Sequence, residues 1–127
     1  MERQRISSGT EWERQVGYSR AVRVGDRVEV SGTTGTVDGE VVDPDDPGAQ
    51  ARQAFANVET ALAEAGADLA DVVRTRLYVA DAADWEPVGA AHEAFFGDVR
   101  PASTLVEVAG FVDDDMLVEV EAVALME

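Results

Sequence analysis

Apolar positions recurring at three- and four-residue spacing mark two helices. The turn cluster Asp43-Pro44-Asp45-Asp46-Pro47-Gly48 places Asp46 to cap a helix and Pro47 at its first position. From there Ala51, Ala54, Phe55, Val58, Ala61, Leu62 and Ala65 form one apolar stripe, which Gly66 stops. A second helix is expected over residues 83–96, with Trp85, Val88, Ala91, His92, Phe95 and Phe96 on its apolar side, Pro87 in its first turn and Gly97 at its end. Elsewhere the period is two: residues 27–31, 73–79, 104–108 and 117–123 alternate as half-buried strands do. A short strand over residues 3–6 and a hairpin partner over 36–41 complete the order β-β-β-α-β-α-β-β.

Two helices cannot cover both faces of a six-stranded sheet, so the pattern predicts an α+β two-layer sandwich with both helices on one face of a mixed sheet. Alternation puts Val28, Val30, Thr75, Leu77, Val79, Val106, Val108, Val118 and Val120 on the helix side. Glu29, Arg74, Arg76, Tyr78, Glu107, Glu119 and Glu121 fall on the other, a broad polar surface with Tyr78 and Leu105 scattered through it. That face is expected to be where copies of the chain meet.

The composition narrows the chemistry. A chain of 127 residues fits one domain, 1–127. It has no cysteine, and all ten basic residues are arginine, which excludes disulfides, thiolate metal sites, Schiff-base lysines and phosphate-loop lysines. A formal charge of -16 and a pI near 4.2 repel phosphate backbones, so nucleic acid is not an expected partner. An apolar fraction of 46% separates this acidity from disorder. A salt-rich cytosol would favour it; so would a GC-rich genome, which prefers Arg to Lys, and the sequence leaves both open. The start MERQRISSG has no signal-peptide pattern and no apolar run could span a bilayer, so a cytoplasmic protein with no membrane partner is expected. Gly32-Thr33-Thr34-Gly35 lacks a following helix and reads as a turn, and Asp113-Asp114-Asp115 as a solvated hairpin loop that could attract cations in high salt.

Several stretches, in order and spacing, resemble the Rid family, also called YjgF/YER057c/UK114, across nearly the whole chain. They are Gly17-Tyr18-Ser19-Arg20-Ala21-Val22, Val30-Ser31-Gly32-Thr33, the helical segment 51–66, His92-Glu93-Ala94-Phe95-Phe96, the run from Arg100-Pro101-Ala102-Ser103 to Ala109, and Leu117 to Ala124. The resemblance implies a chorismate-mutase-like fold, a homotrimer with a ligand cleft at each subunit seam, and no cofactor or metal. It also implies a small-metabolite ligand: deaminases of the family hydrolyse 2-imino or enamino acids to the keto acid and ammonia.

Carried over position by position, Tyr18 matches the family tyrosine, Ser31 and Gly32 the strand lining the cleft, and Glu121 the water-positioning glutamate. Ser103 stands where the deaminases carry the arginine that holds the substrate carboxylate, and Gly89 where they usually have asparagine. The chain thus resembles a subgroup lacking the deaminase arginine. A hydroxyl offers one neutral hydrogen bond where a guanidinium offers a charge-assisted pair. Arg20 and Arg100 are the candidates for restoring anion binding, with a solvated loop arginine as the alternative for each. Glu121 reads either as the group that polarises water or as a strand glutamate paired with Arg74 or Arg76. His92, the only histidine, reads as a packed helix residue or a cleft residue, and Ser103 as a small polar cleft residue without a catalytic triad. Two functions remain: binding of a small imine, enamine or keto metabolite at the seam with hydrolysis, or a non-catalytic trimeric binding or interaction module.

Overall fold

The computed structural model describes residues 2–127, in the element order β1 (Arg3–Ile6), α1 (Glu11–Val16), β2 (Ala21–Val24), β3 (Arg27–Thr34), β4 (Thr36–Val37), β5 (Glu40–Val41), α2 (Pro47–Glu64), β6 (Val72–Val79), α3 (Trp85–Phe96), β7 (Ala102–Glu107) and β8 (Val118–Leu125). Six strands form one sheet in the order β1-β2-β3-β8-β6-β7. Every pair is antiparallel except β6 with β7, whose crossover is α3. The sheet therefore has the expected strand count and mixed character, but its members differ from expectation. Residues 36–41 form a separate two-stranded hairpin, β4 with β5, and Ala21–Val24 takes the sixth place.

Helix α2 begins and ends where its sequence signals place it, whereas α3 starts without a side-chain cap. Asp46 accepts from the Ala49 amide at 3.0 Å, Pro47 opens α2, and Gly66 turns the chain away at φ +88°. The α2 stripe, from Ala51 to Leu62, is buried against β3 and β8 together with Val28, Val30, Val118 and Val120. Phe55 is the hub, with His92 and Phe96 packed edge-on at centroid distances of 5.5 Å. Trp85, assigned to the apolar side of α3, is 59% exposed because the short 3-10 turn Ala82–Asp84 starts the helix beyond the edge of that core.

Gln50 was not legible as a core residue, yet it is fully buried on α2. Its amide donates to the carbonyls of Asp43 (3.2 Å) and Asp115 (2.9 Å) and accepts from the Leu117 amide (2.8 Å). One side chain thereby fixes the loop before α2 and the acidic loop before β8, and its own buried amide is satisfied by three backbone groups.

Two further corrections concern the strands. The segment Gly32-Thr33-Thr34 is not a turn: β3 runs through it, with a register slip between Val30 and Thr33 that marks a bulge. In β7 the alternation is shifted by one residue. Register sets Ser103 beside Thr75, Leu105 beside Leu77 and Glu107 beside Val79 on the helix side, and Val106 beside Tyr78 on the open side. Val106 is accordingly 42% exposed, and Glu107 accepts from the Ala82 amide at 2.8 Å. Val108 lies beyond the strand.

Candidate functional site

The residues singled out in the sequence fall into two groups on opposite faces of the sheet. Glu121 is on the open face, opposite Arg76 in the β6–β8 register, and Glu119 is two residues away on the same face, opposite Tyr78. The Tyr78 hydroxyl donates to Glu121 Oε1 at 2.6 Å, so the partner of Glu121 is a tyrosine and not Arg74, whose guanidinium donates to Thr104 at 2.8 Å. Bonding to this carboxylate, followed by burial, raises the Tyr78 pKa and keeps the phenol protonated. Desolvation raises the pKa of Glu119, the nearby charge of Glu121 adds to the rise, and Arg20 opposes it. Glu119, Glu121 and Tyr78 line a cleft of about 430 Å³ with Val108, Gly110, Phe111 and Val112.

The β3 bulge brings a second set of predicted residues to this face. A Cβ at Gly32 would collide with Glu119 Oε2 and lie 2.9 Å from Glu119 Cδ, so glycine is what lets the carboxylate lie against the strand. Ser31 Oγ donates to the Ser19 carbonyl at 2.6 Å, stitching β3 to the segment carrying Tyr18. Arg20 is half-buried and committed. Its Nη1 donates to the Gly32 carbonyl (2.6 Å) and Thr33 Oγ1 (2.9 Å), its plane lies 5.7 Å from the Tyr18 ring centroid, and Tyr18 itself is 38% exposed. These bonds hold Arg20 as the brace of the Tyr18–Gly32 wall and leave Arg20 Nε buried without a hydrogen bond, 3.7 Å from Glu13 Oε2.

Glu13 is the support of this wall that periodicity could not reveal. It is 5% exposed, and its carboxylate accepts from Ser7 Oγ (3.1 Å), the Ser8 amide (3.1 Å), the Ser8 hydroxyl and Thr10 Oγ1 (3.0 Å). Burial alone would raise its pKa, but the donors from Ser8, Thr10 and Ser7 outweigh it and leave the pKa lowered. The signal was Ser-Ser-Gly-Thr followed by Glu at the third helical position, a set of short hydroxyls flanking one acid.

The second group lies on the helix side. Thr75, 1% exposed, donates to Ser103 Oγ at 2.8 Å, and His92 Nε2 lies 2.8 Å from the same Thr75 oxygen. Burial lowers the His92 pKa, which keeps the ring uncharged near neutral pH. Ser103 itself is exposed at the sheet edge. Arg100, with φ +54°, is exposed in the loop after α3, where its amide donates to the Phe96 carbonyl at 2.8 Å. A Cβ at Gly89 would have no neighbour within 4 Å. Among the described residues no group of three His, Asp or Glu side chains is placed to hold a metal ion, and no helix is long and apolar enough to cross a membrane.

The sequence model of the family described as endoribonuclease L-PSP matches residues 10–126. A Streptomyces coelicolor protein of uncharacterised function is 42% identical over 120 residues, covering 94% of this chain and 90% of that one. The Escherichia coli 2-iminobutanoate/2-iminopropanoate deaminase is 37% identical over 113 residues, covering 85% and 86%. Among solved structures, a Mycobacterium tuberculosis member of the YjgF/YER057c/UK114 family superposes with a TM-score of 0.90 at 49% identity, covering 98% and 100% of the two chains. The Escherichia coli YjgF protein superposes at 0.80 with 34% identity, covering 97% and 93%. The six-stranded sheet with its helices is the chorismate-mutase-like fold of these neighbours, and the chain belongs to the Rid (YjgF/YER057c/UK114) family.

Proposed function

We propose that the protein binds a small imine, enamine or keto metabolite in a cleft formed between copies of the chain, as a homotrimer, and hydrolyses the C=N bond of the imine. One observation carries this reading. Glu121 with Tyr78 and the Tyr18–Gly32 wall lie on one face of the sheet, whereas Ser103 and His92 lie on the other, and a sheet cannot bring its own two faces together. Two half-sites of matching polarity in one chain are completed when the open face of one copy meets the β7 edge of another. The exposed Val106 and the half-buried Tyr78 ring on that open face are surface a neighbour would cover.

In this reading Glu121, anchored through Oε1 by Tyr78, uses its second oxygen to hold and orient water. Water adds to the imine carbon as one of its protons passes to the nitrogen, giving a carbinolamine; the C–N bond then breaks as the hydroxyl's proton passes to the nitrogen, which leaves as ammonia while the carbonyl forms. Glu119, whose raised pKa favours its protonated form relative to an ordinary glutamate, is the neighbouring proton source. The charge of -16 supports a small-molecule ligand over RNA, and the protein is assigned to the cytoplasm.

The test is keto-acid release from 2-iminopropanoate generated in situ by an amino-acid oxidase. Wild type accelerates it and Glu121→Gln does not. No acceleration, together with no thermal shift from any small keto or enamine compound, rejects the proposal. Thermal shift without turnover, unchanged by Glu121→Gln, selects the non-catalytic binding module instead.

A further inference from the structure

Of the four phenylalanines, folding accounts for three: Phe55 and Phe96 are buried in the core and Phe95 packs against it. Phe111 does neither. It stands between β7 and β8 with Val108 and Val112, and none of these three side chains belongs to the core or packs against it. Val112 is 75% exposed. Apolar surface left in water beside a cavity is stabilised by whatever apolar group covers it.

Both ends of this segment are held. The Val108 amide donates to the Val79 carbonyl at 2.9 Å, and buried Gln50 donates to the Asp115 carbonyl and accepts from the Leu117 amide. Val108, Phe111 and Val112 are thereby set to line the same cleft as Tyr78, Glu119 and Glu121. At about 430 Å³ the cleft is of the size that takes a small organic ligand.

The cleft thus has two parts of different chemistry. One is polar, with the Tyr78 hydroxyl bonded to Glu121 and Glu119 on the same face of the sheet. The other has only hydrocarbon side chains, and Val106, beside Tyr78 in the strand register, extends it. A ligand carboxylate suits neither part: it meets like charge at the first and loses its hydration against the second. The hydrocarbon substituent of a ligand suits the second, and every carbon it buries there adds to the binding.

We propose that Val108, Phe111 and Val112 are specificity-determining residues that receive the substituent of the substrate, so that 2-imino acids with branched or aromatic substituents are preferred to 2-iminopropanoate with its methyl group. The inference rests on the reading of the Glu121 cleft as the site of imine hydrolysis and names the substrates that site selects.

The test compares imines generated in situ by an amino-acid oxidase from alanine, leucine and phenylalanine. For wild type, kcat/KM is expected to be about 10–100-fold higher with the leucine and phenylalanine imines than with the alanine imine. Phe111→Ala and, at a position exposed enough to spare the fold, Val112→Ser should each shrink that ratio about tenfold. Titration calorimetry with 2-oxopropanoate, 4-methyl-2-oxopentanoate and 3-phenyl-2-oxopropanoate should give the same order of affinity without turnover. Equal kcat/KM for the three imines, or a preference for the alanine imine, overturns the inference and leaves the hydrolysis reading standing. So do variants that lower all three alike while light scattering shows smaller assemblies, because the segment is then a contact between copies. If no imine is hydrolysed and no oxo acid binds, the hydrolysis reading fails and takes this inference with it.

Discussion

Replacing Glu13 by glutamine probes the support under the whole Tyr18–Gly32 wall. The carboxylate accepts four hydrogen bonds, from Ser7, Ser8 twice and Thr10, and faces the otherwise unbonded Arg20 Nε. The amide keeps one oxygen and offers an NH2 to the Ser8 and Thr10 hydroxyls, so bonds to a charged acceptor become neutral ones and the arginine loses its counter-charge. Bonds to a charged acceptor contribute about 1.5–3 kcal/mol each, and breaking one side of a buried charged cluster costs about 3–5 kcal/mol. The neutral bonds that replace them return part of this, and about 3 kcal/mol is the expected net loss. For a chain of this size that is a fall of about 10 °C in the thermal midpoint. The pH dependence carries a sign. The Glu13 pKa is lowered in the folded state from 4.5, so its contribution is complete above that value and is lost as pH falls through the folded value. The gap between wild type and Glu13→Gln, measured by scanning calorimetry, should stay constant near neutrality and close in acid. A neutral-pH gap below about 1 °C, or one that widens on acidification, would refute the argument.

Other substitutions address separate parts of the account. Tyr78→Phe removes the 2.6 Å bond that orients Glu121, and is expected to lower kcat for imine hydrolysis by about 10–100-fold with a thermal midpoint close to wild type; an unchanged kcat would mean that Glu121 needs no brace. Gln50→Ala takes the Gln50 partner from the Asp115 carbonyl and the Leu117 amide and opens a hole beside α2, which should cost about 3 kcal/mol in denaturant titrations. Faster amide exchange in residues 113–117 than in β6 would locate the damage where the structure predicts it. On acidification below about 6.5, His92 takes up a proton more readily in the unfolded chain, because burial lowers its folded pKa; the stability it confers as a neutral ring is therefore lost as pH falls from that value. His92→Phe should flatten that limb of the stability curve, and an identical limb in the variant would argue against it.

What the sequence revealed follows from how each element is held. Helix α2 and strands β3, β6 and β8 are buried by hydrophobic contacts with a strict period, so Phe55, Val58, Leu62, Val28 and Leu77 announce their faces. Helix α1 has no such stripe. Trp12 and Val16 are 51% and 68% exposed, and the six-residue turn is fastened by its Thr10 cap and by the buried charge of Glu13, neither of which has a period. The phase of strand β7 does not show in the sequence because Leu105, Val106 and Glu107 alternate only weakly at an edge where most residues face solvent, leaving burial unable to set the register. The candidate site was legible as a set of residues but not as a geometry. Tyr18, Ser31, Gly32 and Glu121 do gather on one face, while the bulge that positions Gly32 is a slip in strand pairing, and the hydrogen bonds joining Thr75 to His92 and Ser103 are long-range, so neither shows in local pattern.

The central claim is that the cleft takes Glu121 from one copy and Ser103 from another, and subunit mixing tests it most directly. Glu121→Gln and Ser103→Trp, each inactive alone in imine hydrolysis, are dissociated together and reassembled. The account predicts that activity returns, because mixed assemblies contain seams in which both native residues meet. Assemblies that light scattering shows to be mixed but that stay inactive, or a wild-type protein that scatters as a lone active protomer, would contradict it.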